Sequence, residues 1–211
     1  MLSNYLTVKE NGEHEIVIER SRFIAHIARA ATETEANEFI QSIKKRHHSA
    51  NHNCSAYLIG EHDQIQKAND DGEPGGTAGV PMLEVLKKRR LKDVVVVVTR
   101  YFGGIKLGAG GLIRAYGKSV SEGLNAIGVV ERKLMQTVHT KIDYTLLGKV
   151  ENELRSSPYL IKEINYQEQV EIIVYVAAEN LQIFKEYVIN LTNANATIED
   201  GSLEYLEEKI L

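Results

Sequence analysis

The sequence predicts an α+β protein of two domains, on three observations. Strand-like alternation and amphipathic helical faces succeed one another along all 211 residues, a length that houses one large domain or two small ones, either able to bury a core. Glycine almost disappears after Ile127. From Lys133 to the end the pattern reads strand, helix, strand, strand, helix, strand, the β-α-β-β-α-β order of a ferredoxin-like unit. The boundary is expected between about Gly128 and Met135, giving domains at 1–131 and 132–211.

Residues 4–29 alternate as strands do, with turn chemistry at Asn11-Gly12 between Tyr5–Val8 and Glu15–Glu19, and a further strand at Arg22–Arg29. Thr32, with Glu35 three residues on, is a capping-box pattern; Ala36, Phe39, Ile40 and Ile43 mark one face of a helix reaching about Arg46. Strands at Ser55–Ile59 and Gln64–Ala68 follow, expected to pair. Thr77 is the expected N-cap of the next helix, with Val80, Leu83, Leu86 and Leu91 as its buried face. Asp93–Thr99 holds five consecutive valines, apolar on both faces, which predicts a central strand. A helix begins near Gly110. In the second half, the strands Lys133–Tyr144, Tyr159–Tyr166, Val170–Ala177 and Ala196–Glu207 alternate with helices at Thr145–Ser156 and Glu179–Asn190. Leu146, Leu147, Val150 and Leu154 line one helix, and Leu181, Phe184, Val188 and Leu191 the other.

Ten of the sixteen glycines fall between Asp70 and Lys118, in two loops that flank the valine strand: DDGEPGGTAG from Asp70 and YFGGIKLGAGG from Tyr101. Glycines beside strand and helix ends serve close backbone approach, either to another backbone or to a ligand. Charge singles out the second loop. From Lys87 to Lys118 there are nine Lys/Arg against one acid, Asp93, in a chain of net charge −4. Clustered cations draw in a polyanion, while an acidic remainder limits non-specific attraction.

No apolar run approaches the ~20 residues a membrane helix requires, and the first residues are too polar for a secretory signal, so the expectation is a cytoplasmic protein with no membrane partner. The single cysteine, Cys54, cannot form an internal disulfide. GLIRAYGKS, from Gly111, has five residues between its glycines where a P-loop needs four. GAGGLI, from Gly108, lacks the third glycine of the dinucleotide fingerprint. Neither G-x-S-x-G nor H-E-x-x-H occurs. No catalytic set and no cofactor is expected.

The candidate site for a nucleic acid or phosphate is Arg100, Tyr101, Phe102, Gly103, Gly104, Lys106, Gly110 and Arg114: a cation and two aromatics beside a diglycine, with unpaired backbone N–H groups at the start of the following helix. Asp70, Asp71, Glu73, His48 and His52 are candidate partners across a cleft, on the expectation that the acidic and basic loops face one another. Three carboxyls within four residues are also the donor type that magnesium accepts, or an N-terminal cap and turn network. His48, His52 and Cys54 resemble a metal cluster but lack a second cysteine, and are read as histidines hydrogen-bonding a loop and a small buried thiol.

HHSANHNCSAY (His47–Tyr57), DDGEPGGTAGVPML (Asp70–Leu83) and VTRYFGGIKLGAGGLIRAYG (Val98–Gly117) together resemble the IMPACT family, including its bacterial YigZ/YvyE-type members, over the whole chain. The resemblance implies an N-terminal domain like the second domain of ribosomal protein S5, a sandwich shared with ribonuclease PH, and a ferredoxin-like C-terminal domain like the fifth domain of elongation factor G. In eukaryotic members the N-terminal domain regulates translation by competing for the activator of a stress-responsive initiation-factor kinase, a role that does not carry over to bacteria, which have no such kinase. The expectation is therefore a non-enzymatic regulatory or binding protein associated with translation, contacting RNA or the ribosome. The alternatives are an enzyme acting on a phosphorylated or nucleotide substrate with a carboxylate-bound metal, and a protein-protein interaction module.

Overall fold

The computed structural model of the chain describes residues 1–210. These residues form two compact units, Met1–Arg132 together with the chain end from Glu207, and Lys133–Leu206. The architecture is α+β, with two sheets and five helices.

The first unit opens with β1 (Asn4–Val8), β2 (Gly12–Ile18) and β3 (Ser21–Arg29). The chain bends at Lys9 and Glu10 rather than at Asn11-Gly12, where β2 already begins, and β1 does not pair with β2; its neighbour is β7 (Val129–Ile142). The tight hairpin is instead β2–β3, turning through Glu19 and Arg20, both at positive φ (46° and 64°). Neither residue type advertises that conformation, which glycine and asparagine adopt most readily. Helix α1 (Glu33–Arg46) starts at Thr32, whose side chain accepts from the Glu35 N–H at 3.2 Å, and buries Ala36, Ile40 and Ile43.

Strands β4 (His52–Ile59), β5 (Ile65–Asn69) and β6 (Val94–Tyr101) complete a sheet in the order β2-β3-β6-β4-β5, with antiparallel pairing throughout. The valine run is its central strand. Val94, Val96 and Val98 face α2 (Gly79–Lys88) and α3 (Gly108–Ile127), whereas Val95 and Val97 face α1. All five are fully buried, and each contributes roughly 1.5–3 kcal/mol relative to exposure. Helix α2 packs on β4, β5 and α3, and α3 packs on β2 and β3.

The buried face of α2 is Gly79, Met82 and Leu86 rather than one led by Val80, which is 49% exposed. Thr77 is not its cap either: the Thr77 hydroxyl donates to the Pro74 carbonyl at 2.6 Å. Asp70 does the capping from across the loop, accepting from the N–H groups of Gly76, Ala78 and Gly79 at 2.7–3.0 Å. Gly79 is required for another reason, since a methyl there would lie 2.5 Å from the Asn69 nitrogen.

In the second unit, α4 (Tyr144–Arg155), β8 (Leu160–Tyr166), β9 (Val170–Ala177), α5 (Leu181–Thr192) and β10 (Ala196–Lys209) follow β7. The sheet order is β8-β9-β7-β10, so the first and third strands of the β-α-β-β-α-β unit are central, as in a ferredoxin-like fold. Val138, Ile142, Ile172, Val174 and Val176 meet Val150, Leu154, Phe184 and Val188 in its core. Leu146, Leu147, Leu181 and Leu191 pack at its margin.

Candidate functional site

Register across three strands builds the site. Arg100, near the end of β6, lies opposite Phe23 of β3 on one side and His52 of β4 on the other. All three stand on the sheet face covered by α2 and α3, because Arg100 continues the alternation of Val94, Val96 and Val98. Past this row the sheet face gives way to a cavity of about 360 Å³, whose lining includes Asn51, His52, Glu73, Pro74, Arg100, Phe102, Lys106, Gly108 and Leu112. The first and second glycine loops therefore meet, within one unit.

Arg100 is the centre of this arrangement, and it is not the surface cation expected. It is only 5% exposed, and its Nη1 donates to Glu73 Oε1 at 2.6 Å. Its guanidinium stacks between the rings of Phe23 and Phe102, 5.3 and 5.5 Å from their centroids. Arg100 Nε is buried without a hydrogen-bond partner. The Tyr116 hydroxyl donates to the same Glu73 oxygen at 2.8 Å. Burial, with Cys54 and Glu73 beside it, pushes the Tyr116 phenol up, so it stays a donor. His52 Nδ1 lies 2.9 Å from the Asp71 carbonyl, which assigns the proton to Nδ1 and turns Nε2 toward Glu73 Oε2, 3.9 Å away.

Tyr101 does not share this surface. One residue further along β6, it points to the opposite face, where its hydroxyl lies 3.0 Å from His47 Nδ1 and Arg22 stacks on its ring. Phe102, beyond the strand, is 45% exposed at the cavity wall. Lys106 also lines the cavity. Arg114, exposed on α3, places Nη1 3.6 Å from where a Gly110 methyl would sit, which sets it over the first turn of the helix. Gly103 serves the backbone: a methyl there would overlap the Arg20–Ser21 main chain. Gly104 and Gly108 hold positive φ in open space. Helix α3 has no side-chain cap, so its first N–H groups are free toward the cavity end.

Among the carboxylates of the described residues, only Glu73 reaches the cavity. Both oxygens of Asp70 are occupied by the α2 cap; burial pushes its carboxyl up, and the three N–H donors outweigh that and hold it below the usual range. Asp71 accepts from Lys44 Nζ and the Asn53 N–H, both at 2.6 Å, and these donors likewise outweigh burial. No three of the His, Cys, Asp and Glu side chains converge to hold a metal ion among the described residues. His48 is exposed in the turn after α1, outside the cavity lining. Cys54 is buried, donating to the Asp70 carbonyl, and burial pushes its thiol up to about 12, so it is not a nucleophile.

Residues 19–124 match the Impact N-terminal domain, and residues 140–195 match DUF1949, a domain of unknown function. The chain is 69% identical over 210 residues to IMPACT family member YvyE of Bacillus subtilis, covering 100% of this chain and 97% of the relative. The chain belongs to the IMPACT family. IMPACT family member YigZ of Escherichia coli is 36% identical over 192 residues, 90% of each chain. A crystal structure of a hypothetical protein superposes with a TM-score of 0.61 at 29% identity, over 94% of this IMPACT chain and 97% of that one. The cavity-lining residues all lie within the Impact N-terminal match.

Sequence reasoning missed Phe23, Asn51, Pro74, Leu112 and Tyr116 as parts of the site. Strand alternation carried the missing signal for Phe23, once β6 is extended through Tyr101. Asn51 braces the second loop, its Oδ1 accepting from the Phe102 N–H at 2.8 Å.

Proposed function

We propose that this IMPACT protein is a non-enzymatic regulatory or binding protein associated with translation, and that it contacts RNA through the basic glycine-rich loop. One observation carries the reading: the uncapped start of α3, Lys106 and the Phe102 face surround a single cavity. Backbone N–H groups and a lysine suit a phosphate, and an exposed ring beside them suits an unstacked base. The metal-dependent enzyme is the weaker reading, because the oxygens of Asp70 and Asp71 are already taken by cap, lysine and backbone donors.

The test is RNA binding across a salt series, comparing the natural chain with the Lys106→Ala/Arg114→Ala double variant. Both side chains are exposed, so the variant keeps the fold. Affinity of the natural chain should fall linearly with log salt concentration, and the double variant should lower that slope by about two. Equal binding at low and high salt would sink the reading. A protein partner is the second reading, favoured by the exposed Phe102, Ile105 and Ile113. Pull-down with and without nuclease separates the two, since capture through protein survives the nuclease.

A further inference from the structure

The cavity offers donors at one wall and a free acceptor at another. The donors are the first amides of α3 and the Lys106 ammonium, which no acid pairs among the described residues. The acceptor is Glu73. Its Oε1 already receives Arg100 Nη1 and the Tyr116 hydroxyl, at 2.6 and 2.8 Å. Its Oε2 has His52 Nε2 at 3.9 Å, too long for a hydrogen bond. Arg100, more than nine-tenths buried at the same wall, leaves Nε without a partner. Buried polar atoms in native proteins are normally satisfied, which makes the partnerless Arg100 Nε an exception, while Glu73 Oε2 is not among the buried atoms without a partner and Glu73 lines the cavity, so this oxygen is open to a polar group arriving from outside. Phe102 stands against Arg100 with its ring half exposed.

We propose that the cavity receives one ribonucleotide bearing a phosphate monoester, free or as the end of an RNA, with the phosphate at the α3 N-terminus and Lys106 and the ribose 2′-hydroxyl on Glu73 Oε2. The proposal rests on the RNA reading above and narrows it. Charge sets the orientation. A phosphate brought against Glu73 is repelled, whereas a hydroxyl supplies what a carboxylate oxygen accepts. The Arg100–Glu73 pair is neutral as a unit, so Lys106 and the helix dipole remain as uncompensated positive charge at the wall they line. A monoester brings three acceptor oxygens and close to two negative charges to that wall. An internal diester brings one charge, and its chain must leave the cavity on both sides. A volume of about 360 Å³ is near the lower end of ligand pockets, which suits a single nucleotide rather than a run of them.

Calorimetric titration of the full chain at low ionic strength tests this on the ligand side, without disturbing the buried pair. The probes are the ribonucleoside 5′- and 3′-monophosphates, their 2′-deoxy counterparts, the nucleosides, inorganic phosphate, and short oligoribonucleotides ending in a phosphate or in hydroxyls only. The ribonucleotide is expected to bind about tenfold or more tightly than its nucleoside, its deoxy counterpart and inorganic phosphate, since a site holding a free acceptor discriminates against a ligand lacking the hydroxyl. Lys106→Ala should remove the advantage of the phosphate and leave nucleoside binding unchanged. Comparison of mononucleotide with phosphate-ended oligomer distinguishes a free nucleotide from an RNA end, and preferential binding of either supports the proposal. Equal binding of phosphate-ended and hydroxyl-ended oligomers would overturn it while leaving the RNA reading intact. Equal binding of ribo and deoxy forms would overturn the Glu73 assignment, and inorganic phosphate binding as tightly as the nucleotide would reduce the site to an adventitious anion. If no RNA or nucleotide binds at all, both readings fall.

Discussion

Glu73 and Arg100 show how a residue useful at a site is also costly to the fold. Their ion pair is almost wholly removed from water, with side chains 4% and 6% exposed. Desolvating two charges offsets most of what their attraction returns, so the pair adds little net stability, but losing one partner strands the other. Glu73→Ala is therefore expected to destabilise by about 3–5 kcal/mol, because the Arg100 guanidinium is left buried beside Phe23 and Phe102 without a counter-charge. Adding Arg100→Met to that variant should recover much of the loss, since an unbranched apolar chain can occupy the space between the rings. Urea denaturation of the two variants measures this, and a Glu73→Ala cost below about 1 kcal/mol would show that the pair is not closed as described. A tyrosine hydroxyl on the same carboxylate keeps Glu73 in one position, which any ligand contact through Oε2 needs.

At the scale of the element, the glycines of the second loop divide into two kinds, and substitution should separate them. A methyl at Gly103 overlaps the Arg20–Ser21 backbone, so Gly103→Ala must displace the β2–β3 turn and lower stability. Gly110 is helical and meets only the end of the flexible Arg114 side chain, at 3.6 Å. By helix propensity alone, Gly110→Ala should stabilise α3 by about 0.5–1 kcal/mol. If a ligand approaches the first turn of α3, the same variant should bind RNA more weakly although it unfolds later; higher stability with unchanged affinity would mean the glycine is not kept for approach. Such distinctions were only partly legible in the sequence. The valine run announced β6 as central, and the capping pattern at Thr32 and Glu35 placed the start of α1, because both signals are local and periodic. The α2 cap was not legible: Asp70 reaches its N–H groups across six to nine residues of loop, outside the range of local capping rules. Starting α2 at Gly79 under that clamp also rotates its apolar face onto Met82 and leaves Val80 in solvent. Arg100 and Tyr101 were read as neighbours on one surface because β6 was ended at Thr99; two more residues of strand send them to opposite faces.

Across the molecule, charge pairing narrows the basic segment that the sequence presents. Lys87, Lys92, Arg100 and Lys118 are each ion-paired, with Glu84, Asp63, Glu73 and Glu122, and Arg89 binds Ser121. Of the nine cations in the block, Lys88, Arg90, Lys106 and Arg114 are exposed and have no acid partner among the described residues, so the field that a polyanion meets is set by these four, of which Lys106 and Arg114 stand at the start of α3. The opposite face of the same sheet carries a different electrostatic consequence. His26 is buried there, with Arg46 Nη2 2.7 Å from its Nδ1, His47 stacked at 4.8 Å and Nε2 without a partner, while Glu13 lies 3.2 Å from Nδ1. Burial, then Arg46 and His47, push its imidazole down to about 4, against a smaller upward pull from Glu13. His47 is shifted in the same direction, mainly by burial. An unfolded chain takes up the His26 proton near pH 6.5 and the folded chain only near 4, so the unfolded state binds more protons between those values. Stability should accordingly be full above about pH 6.5 and decline by an amount on the order of 3 kcal/mol as pH falls toward 4. Hydrogen exchange of the β6 amides, corrected for the intrinsic pH dependence of exchange, reads that loss in the first unit without requiring the two units to unfold together. His26→Gln should flatten the decline between pH 6.5 and about 5.5, above the range in which most carboxylates titrate. Protection that falls as steeply in this variant as in the natural chain would place the acid sensitivity elsewhere in the fold.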